Sequence, residues 1–254
     1  MIKRQFAIIL TCVFFLGQTF AQETPTHDFF VQMKNYDLSV VLTTDTIIEV
    51  DEKFPRSEIL GFIGDDYQRL HIHFISIIQN QSNPYEYFAY GKTKVKNNVC
   101  EFQGIIKIKE AKMYVKGDYS EKYLQGYTIC EVVLYEDQKQ SSTGFIGGQL
   151  KSNFCIDTEG NFQYDAIMSV ADGFCNNQFV GTWTSYKTGK SKTCNWGDGR
   201  IPKSENLDSG AGEFIVSEKY VKNGWENYKL AWQTYPETQE VIKARQKENE
   251  KWWK

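Results

Sequence analysis

The sequence predicts an all-β protein, an antiparallel barrel or barrel-like sandwich of about 8–10 strands with a C-terminal helical segment. Apolar and polar residues alternate through much of the chain between Asp37 and Trp196, as in strands with one buried face. Turn-forming residues recur about every 10–15 residues, and no long helical pattern separates the strands, which favours hairpins over a parallel sheet. Aromatic residues make up 15% of the 254 residues and only 5 are proline, which agrees with strands.

The strands can be placed from this alternation and from the turns between them. Residues 51–64, with Pro55 and two glycines, are predicted to form an irregular connection. Within 144–156 three glycines indicate bends or close approach of the backbone, as in a barrel wall. The predicted strands are 37–42, 46–50, 70–78, 85–95, 99–109, 126–136, 144–156, 162–167, 174–186 and 191–196.

The composition changes after Gly197, where residues 197–213 form a loop rich in glycine, aspartate and serine. Residues 237–254 are predicted to form a charged helix. Its apolar pairs at 241–242 and 252–253 are 11 residues apart and so share a face that would dock on the barrel. The predicted organisation is a flexible leader (22–36), an antiparallel β domain (37–214) and a C-terminal helical segment packed on it (215–254).

The first 21 residues have the layout of a secretory signal peptide. Lys3 and Arg4 precede an apolar run at 6–17, and small residues at Thr19 and Ala21 predict cleavage after Ala21. The sequence therefore predicts an exported protein, periplasmic or extracellular. The run is shorter than the roughly 20 residues of a membrane span, so no transmembrane segment is expected after cleavage.

Charge and cysteine content restrict the partners. With 29 basic and 32 acidic residues, the chain has no basic excess for a phosphate backbone, so nucleic acid is not expected as a partner. The expected partner is therefore an unknown small molecule, a glycan or an envelope protein. The cysteines left after cleavage would form one or two disulfides or remain buried thiols. They are Cys100, Cys130, Cys155, Cys175 and Cys194.

No metal site or cofactor is expected. The cysteines lack the C-x-x-C spacing of zinc sites. His71 and His73 lie side by side on one strand face, but no third histidine is near them in the sequence, so a half-exposed strand face is the preferred interpretation.

The segment 195–200 carries the candidate binding residues. Trp196, Asp198 and Arg200 provide an aromatic platform, a carboxylate and a guanidinium, which together could bind a sugar or another polar ligand. The alternative is a structured loop in which Arg200 pairs with Asp198 or Asp208.

A fourth candidate is Trp183. The segment Phe179-Val180-Gly181-Thr182-Trp183 resembles the Gly-x-Trp element of lipocalins and related barrels, over about three residues. In lipocalins this element opens the first strand, whereas here it lies in the last third of the chain. The resemblance implies a tryptophan that closes one end of a barrel, with ligand stacking as the alternative.

These observations favour an exported, non-enzymatic binding module, because no catalytic motif such as Gly-x-Ser-x-Gly is present. The first alternative is a secreted hydrolase, possibly acting on glycans, that uses two carboxylates. Its candidates are Asp165, Asp172, Asp198, Asp208 and Glu213. The second alternative is a cell-envelope interaction protein that docks through Trp252 and Trp253.

Overall fold

The computed structural model describes residues 24–49 and 52–254; the predicted signal peptide lies outside the described residues. The strands are β1 Thr26–Asp28, β2 Thr46–Glu49, β3 Glu52–Pro55, β4 Leu60–Ile63, β5 Gln68–Asn80, β6 Asn83–Val95, β7 Asn98–Tyr114, β8 Tyr123–Glu136, β9 Gly144–Asp157, β10 Phe162–Tyr164, β11 Asn176–Ser185 and β12 Ser191–Asp198. The helices are α1 Ser39–Thr43, α2 Glu226–Trp232 and α3 Gln239–Glu248. Single 3-10 turns occur at Val31–Asn35, Glu205–Leu207 and Glu218–Tyr220.

Eight strands form a ring-like sheet in which every pairing is antiparallel. The order is β4-β5-β6-β7-β8-β9-β11-β12, and β12 pairs again with β4. The predicted all-β antiparallel class with C-terminal helices is therefore confirmed, although the ring is not a strict barrel. The closing ladder between β12 and β4 joins only four residue pairs, from Gly197↔Leu60 to Cys194↔Ile63.

The main core fills the inside of the ring. Phe179 on β11 stacks on Trp196 of β12, with ring centroids 3.7 Å apart and an angle of 10° between the planes. Two glycines make room for the Phe179 ring, since a Cβ on Gly181 would lie 2.5 Å, and one on Gly148 2.7 Å, from its Cζ. The absence of a side chain at these two positions thus allows the aromatic stack.

A second core lies outside the ring and covers β4. Leu60 and Phe62 of β4 pack against Trp225 and other apolar side chains of the C-terminal segment. The other members are Ile201, Leu207, Phe214, Val216 and Tyr220. Because β4 forms the shortest ladders of the ring, this covering stabilises the strand at which the ring closes.

The two segments before β2 differ from expectation. Residues 37–42 were expected to form a strand, but α1 occupies 39–43, and Val41 and Leu42 are buried against the end of the ring. The alternation that predicted a strand over six residues is too short to distinguish it from one buried helical turn. The second segment is the leader, which was expected to be flexible over 22–36. Within it β1 pairs with β7 of the ring, and Met33 is fully buried.

The C-terminal segment follows the outer face of β5. Arg69, at the start of this face, forms an ion pair with Glu248 of α3 through two hydrogen bonds. The α3 helix ends at Glu248, shorter than the helix expected over 237–254, so Trp252 and Trp253 lie beyond it. Within the residues described, no helix is long and apolar enough to cross a bilayer.

Candidate functional site

A cavity of about 270 Å³ opens at the end of the ring where β4, β6, β8 and β11 finish. Most of its wall surface is apolar, and polar residues lie at its inner end and around its rim. The apolar lining consists of Ile63, Leu70, Val95, Ile146 and Trp183. The inner polar lining consists of Gln68, Thr93, Cys100, Glu136 and Cys194. The rim consists of Asp66, Lys96, Asn98, Ser142 and Lys192, all exposed.

The opposite end of the ring is closed. There α1 and the 3-10 turn at Val31–Asn35 pack against the core through Leu38, Val41 and Met33, each fully buried. The backbone N–H of Leu38 donates to the Tyr87 hydroxyl at 3.0 Å, which fixes α1 to β6. A small molecule therefore has access to the interior at the end that holds Glu136.

Glu136 is the one carboxylate in the inner lining of this cavity, and it is buried. Its Oε1 accepts a hydrogen bond from the Thr93 hydroxyl at 2.6 Å. Its Oε2 accepts from the Gly144 backbone N–H and from the indole Nε1–H of Trp183, each at 2.9 Å. These three donors orient the carboxylate and partly replace the water that burial removes.

The position of Glu136 follows from the alternation in β8. Cys130, Val132 and Leu134 face the inside of the ring, and Glu136 is the next residue in the same phase. Sequence reasoning placed the first three on one face but missed Glu136 as a candidate. The signal was present: a charged residue that continues the buried face of a strand needs partners inside the protein.

The two thiols of the cavity are poor nucleophiles. Burial raises the pKa of Cys100 to about 11 and raises the pKa of Cys194 well above its ordinary value. Both thiols therefore stay protonated at neutral pH, and the thiolate is the reactive form. The five cysteines expected in the mature chain are all free thiols, and four of them are buried. The structure therefore agrees with the alternative of buried thiols, and these five residues form no disulfide.

Of the four predicted ligand contacts, only Trp183 lines the cavity. Trp196 is 1% exposed and stacks on Phe179 inside the core. The segment 195–200 therefore does not present an aromatic platform to solvent. Its tryptophan and Asp198 belong to β12 and lie in the same phase as Cys194, which together with Trp196 is part of the main core inside the ring.

Asp198 is fully engaged at the closed end. It accepts two hydrogen bonds from Arg56, at 3.0 and 2.8 Å, one from the Tyr164 hydroxyl at 3.1 Å and one from Asn177 at 2.9 Å. Arg56 also donates to the carbonyl of Leu42 at the end of α1. Asp198 thus links the ring to α1, and its four hydrogen bonds are all made within the protein.

Arg200 stabilises its own loop. It donates to Asp208 through Nε at 3.0 Å and Nη2 at 2.5 Å, and to the carbonyls of Gly210, Ala211 and Gly212. This is the alternative in which an ion pair with Asp208 holds the loop shut. Arg200 does not contribute to the cavity of Glu136.

His71 and His73 lie on the outer face of β5 beneath the two C-terminal tryptophans. His73 stacks on Trp253 with ring centroids 3.6 Å apart, and His71 lies 5.8 Å from Trp252. Burial and nearby cations lower the pKa of His71 to about 3 and that of His73 to about 4. Both tryptophans therefore contact their own sheet rather than an open docking surface.

A shallow groove of about 480 Å³ adjoins these residues and contains Glu58. Burial raises the pKa of Glu58 to about 7, although Arg69 and Arg56 partly oppose the effect. Of the acids proposed for hydrolysis, Asp165 lines a separate polar cavity of about 290 Å³ with Asp118. In residues 24–49 and 52–254, no cluster of three or more histidines, cysteines or acids is arranged to hold a metal ion.

The sequence matches no family model, no curated protein and no solved structure. What the protein does must therefore be inferred from its own side chains.

Proposed function

We propose that this chain is an exported binding protein for a small, mostly apolar molecule, and that the ligand occupies the cavity of Glu136. The observation that carries the proposal is a cavity with mostly apolar wall surface, at the end of the ring opposite α1, with oriented polar groups inside. This composition is typical of small-molecule sites, in which apolar walls provide affinity and a few polar groups fix orientation.

The size of the cavity supports a small ligand. Ligand sites usually enclose about 300–1,000 Å³, and the volume here, about 270 Å³, is slightly below that range. A ligand with one aromatic or aliphatic ring and a short substituent fits such a volume better than an oligosaccharide does. Trp183 and Ile146 are cross-strand partners, so together they offer one continuous apolar surface to the ligand.

The polar groups favour binding over covalent chemistry. Both thiols are held in the protonated form by burial. Glu136 already accepts hydrogen bonds from three groups that orient it, as expected for a carboxylate that recognises rather than attacks. The predicted signal peptide supports a location outside the cytoplasm.

Ile146→Phe tests the site, because the larger side chain would fill cavity space between Trp183 and Leu134. We expect the parent protein to bind 2-phenylethanol, indole or toluene at one saturable site in calorimetric titration. The variant should lose this binding at least about tenfold, because overpacking removes the space that the probe needs.

Ile78→Phe is the matched control, since Ile78 is 61% exposed on the outer face and lies outside the cavity. It should bind the probes as the parent does. Circular dichroism of each variant establishes that it is folded. The proposal is wrong if the parent binds no small apolar probe, neutral or charged, or if folded Ile146→Phe binds the probes with unchanged affinity.

A further inference from the structure

Glu136 differs in its partners from Asp198, the other buried carboxylate of the ring. Asp198 is paired with Arg56. Among the described residues, Glu136 forms no ion pair; its partners are a hydroxyl, a backbone N–H and an indole N–H. A buried carboxylate is normally paired with a cation, because neutral donors compensate only part of its lost hydration.

We infer that the ligand supplies the missing cation: the cavity is built for a small apolar amine whose ammonium group pairs with Glu136. This inference rests on the proposed function and specifies the class of ligand. The apolar body of the amine would lie against Trp183, Ile146 and Leu70, with the ammonium group at the carboxylate.

The carboxylate has acceptor capacity left for such a group. A carboxylate offers about four lone-pair positions, and three hydrogen bonds are already made. Two of them are on Oε2, whereas Oε1 accepts only from Thr93. Oε1 is therefore the atom that can accept an N–H from the ligand.

The charges at the rim do not determine the preference. Lys96, Lys192 and Asp66 are exposed, so water and salt screen them. Glu136 is buried among apolar walls, where an opposite charge in contact gains more than at the surface. An amine should therefore enter past the lysines and be held by the inner carboxylate.

Three probes of matched shape test the inference by calorimetric titration: 2-phenylethylamine, 2-phenylethanol and 3-phenylpropanoate. We expect the amine to bind at least about tenfold more tightly than the alcohol, because a charge-assisted hydrogen bond is roughly twice as strong as a neutral one. The acid should bind more weakly than the alcohol, since its carboxylate would face Glu136.

Glu136→Gln keeps the shape and removes the charge. We expect it to reduce the advantage of the amine over the alcohol to less than about threefold while alcohol binding changes little. Glu131→Gln is the matched control, because Glu131 is an exposed carboxylate on the outer face of the same strand, and it should keep the parent ratio.

The outcomes separate the two proposals. If the parent binds none of the three probes, the proposed function fails. If it binds the alcohol or the acid as tightly as the amine, the cavity is a binding site and the inferred ligand class is wrong. The parent ratio decides the matter even if Glu136→Gln does not fold; if that variant folds and keeps the ratio, Glu136 is not the recognition group.

Discussion

Single buried charges distinguish the two ends of the ring. At the closed end, Arg56 and Asp198 satisfy each other with two hydrogen bonds, and Asp198 has two further donors. At the open end, Glu136 is held by neutral donors and faces a cavity. The pairing therefore makes one carboxylate a structural group and leaves the other able to recognise a ligand.

Asp198→Asn should destabilise the protein strongly, because it leaves the Arg56 guanidinium buried without its counter-charge. Removing one partner of a buried ion pair costs about 3–5 kcal/mol of unfolding free energy. Urea unfolding monitored by circular dichroism measures this loss.

The control is Glu131→Gln, which removes one partner of the exposed pair with Lys109. Exposed pairs contribute about 0–1 kcal/mol, so its unfolding midpoint should stay close to that of the parent. Equal midpoints for Asp198→Asn and the parent would contradict a stabilising role for the Arg56–Asp198 pair.

The residues also show what sequence could and could not reveal about the site. Trp183 was found from its resemblance to a Gly-x-Trp element, and it does line the cavity. Asp198 was predicted to contact a ligand, whereas in the structure it pairs with Arg56. The two residues are 142 positions apart in the chain, and no local sequence pattern indicates such a pairing. Glu136 was missed although the alternation of β8 places it on the buried face, and its partners Thr93 and Trp183 lie on other strands.

At the scale of elements, the long strands were predicted, as were the short strands β2 and β10, whereas the short strand β4 was not. The alternation over β5 to β9 extends for 13 to 17 residues in each strand, so its period identifies strands clearly. Strand β4 has four residues buried on both faces by the ring and by the second core, which removes the alternation altogether. Its sequence therefore resembled an irregular connection.

Helix α3 is capped by the residue that precedes it, Thr238. The Thr238 hydroxyl accepts a hydrogen bond from the Val241 backbone N–H at 3.3 Å, which satisfies one of the free donors at the start of the helix. Thr238→Ala should lower the unfolding free energy by about 1 kcal/mol in urea titration. Thr238→Ser, which retains the hydroxyl, should restore most of the loss; equal losses in the two variants would show that the cap is unimportant.

At the scale of the whole molecule, three partly buried groups with shifted pKa values, His71, His73 and Glu58, contribute to the response to pH. His71 and His73 have pKa values of about 3 and 4, below the ordinary 6.5, so the stability they contribute is lost as pH falls from 6.5 towards these values. Glu58 has a pKa of about 7, above the ordinary 4.5, so its contribution is complete below pH 4.5 and lost as pH rises through 7. Between pH 5 and 6.5 the effect of the two histidines opposes that of Glu58 and exceeds it, because two groups act against one. The free energy of unfolding should therefore fall as the pH is lowered from 6.5 to 5.

His71→Phe should reduce this acid loss, because it keeps an aromatic ring beneath Trp252 and removes one titrating group. The measurement is the urea midpoint at pH 6.5 and pH 5. His27→Phe is the control, since His27 is exposed on β1, and it should keep the parent difference. An unchanged difference in His71→Phe would contradict the role of His71.

The closing ladder between β4 and β12 has a consequence for the order in which the protein can fold. It joins Leu60 to Gly197, and the second core that supports β4 is drawn from residues up to Trp225. The chain must therefore be synthesised at least as far as Trp225 before the ring can close on the core that supports it. Such a delay would leave the newly made chain open for threading through a secretion channel, the route that its first 21 residues predict.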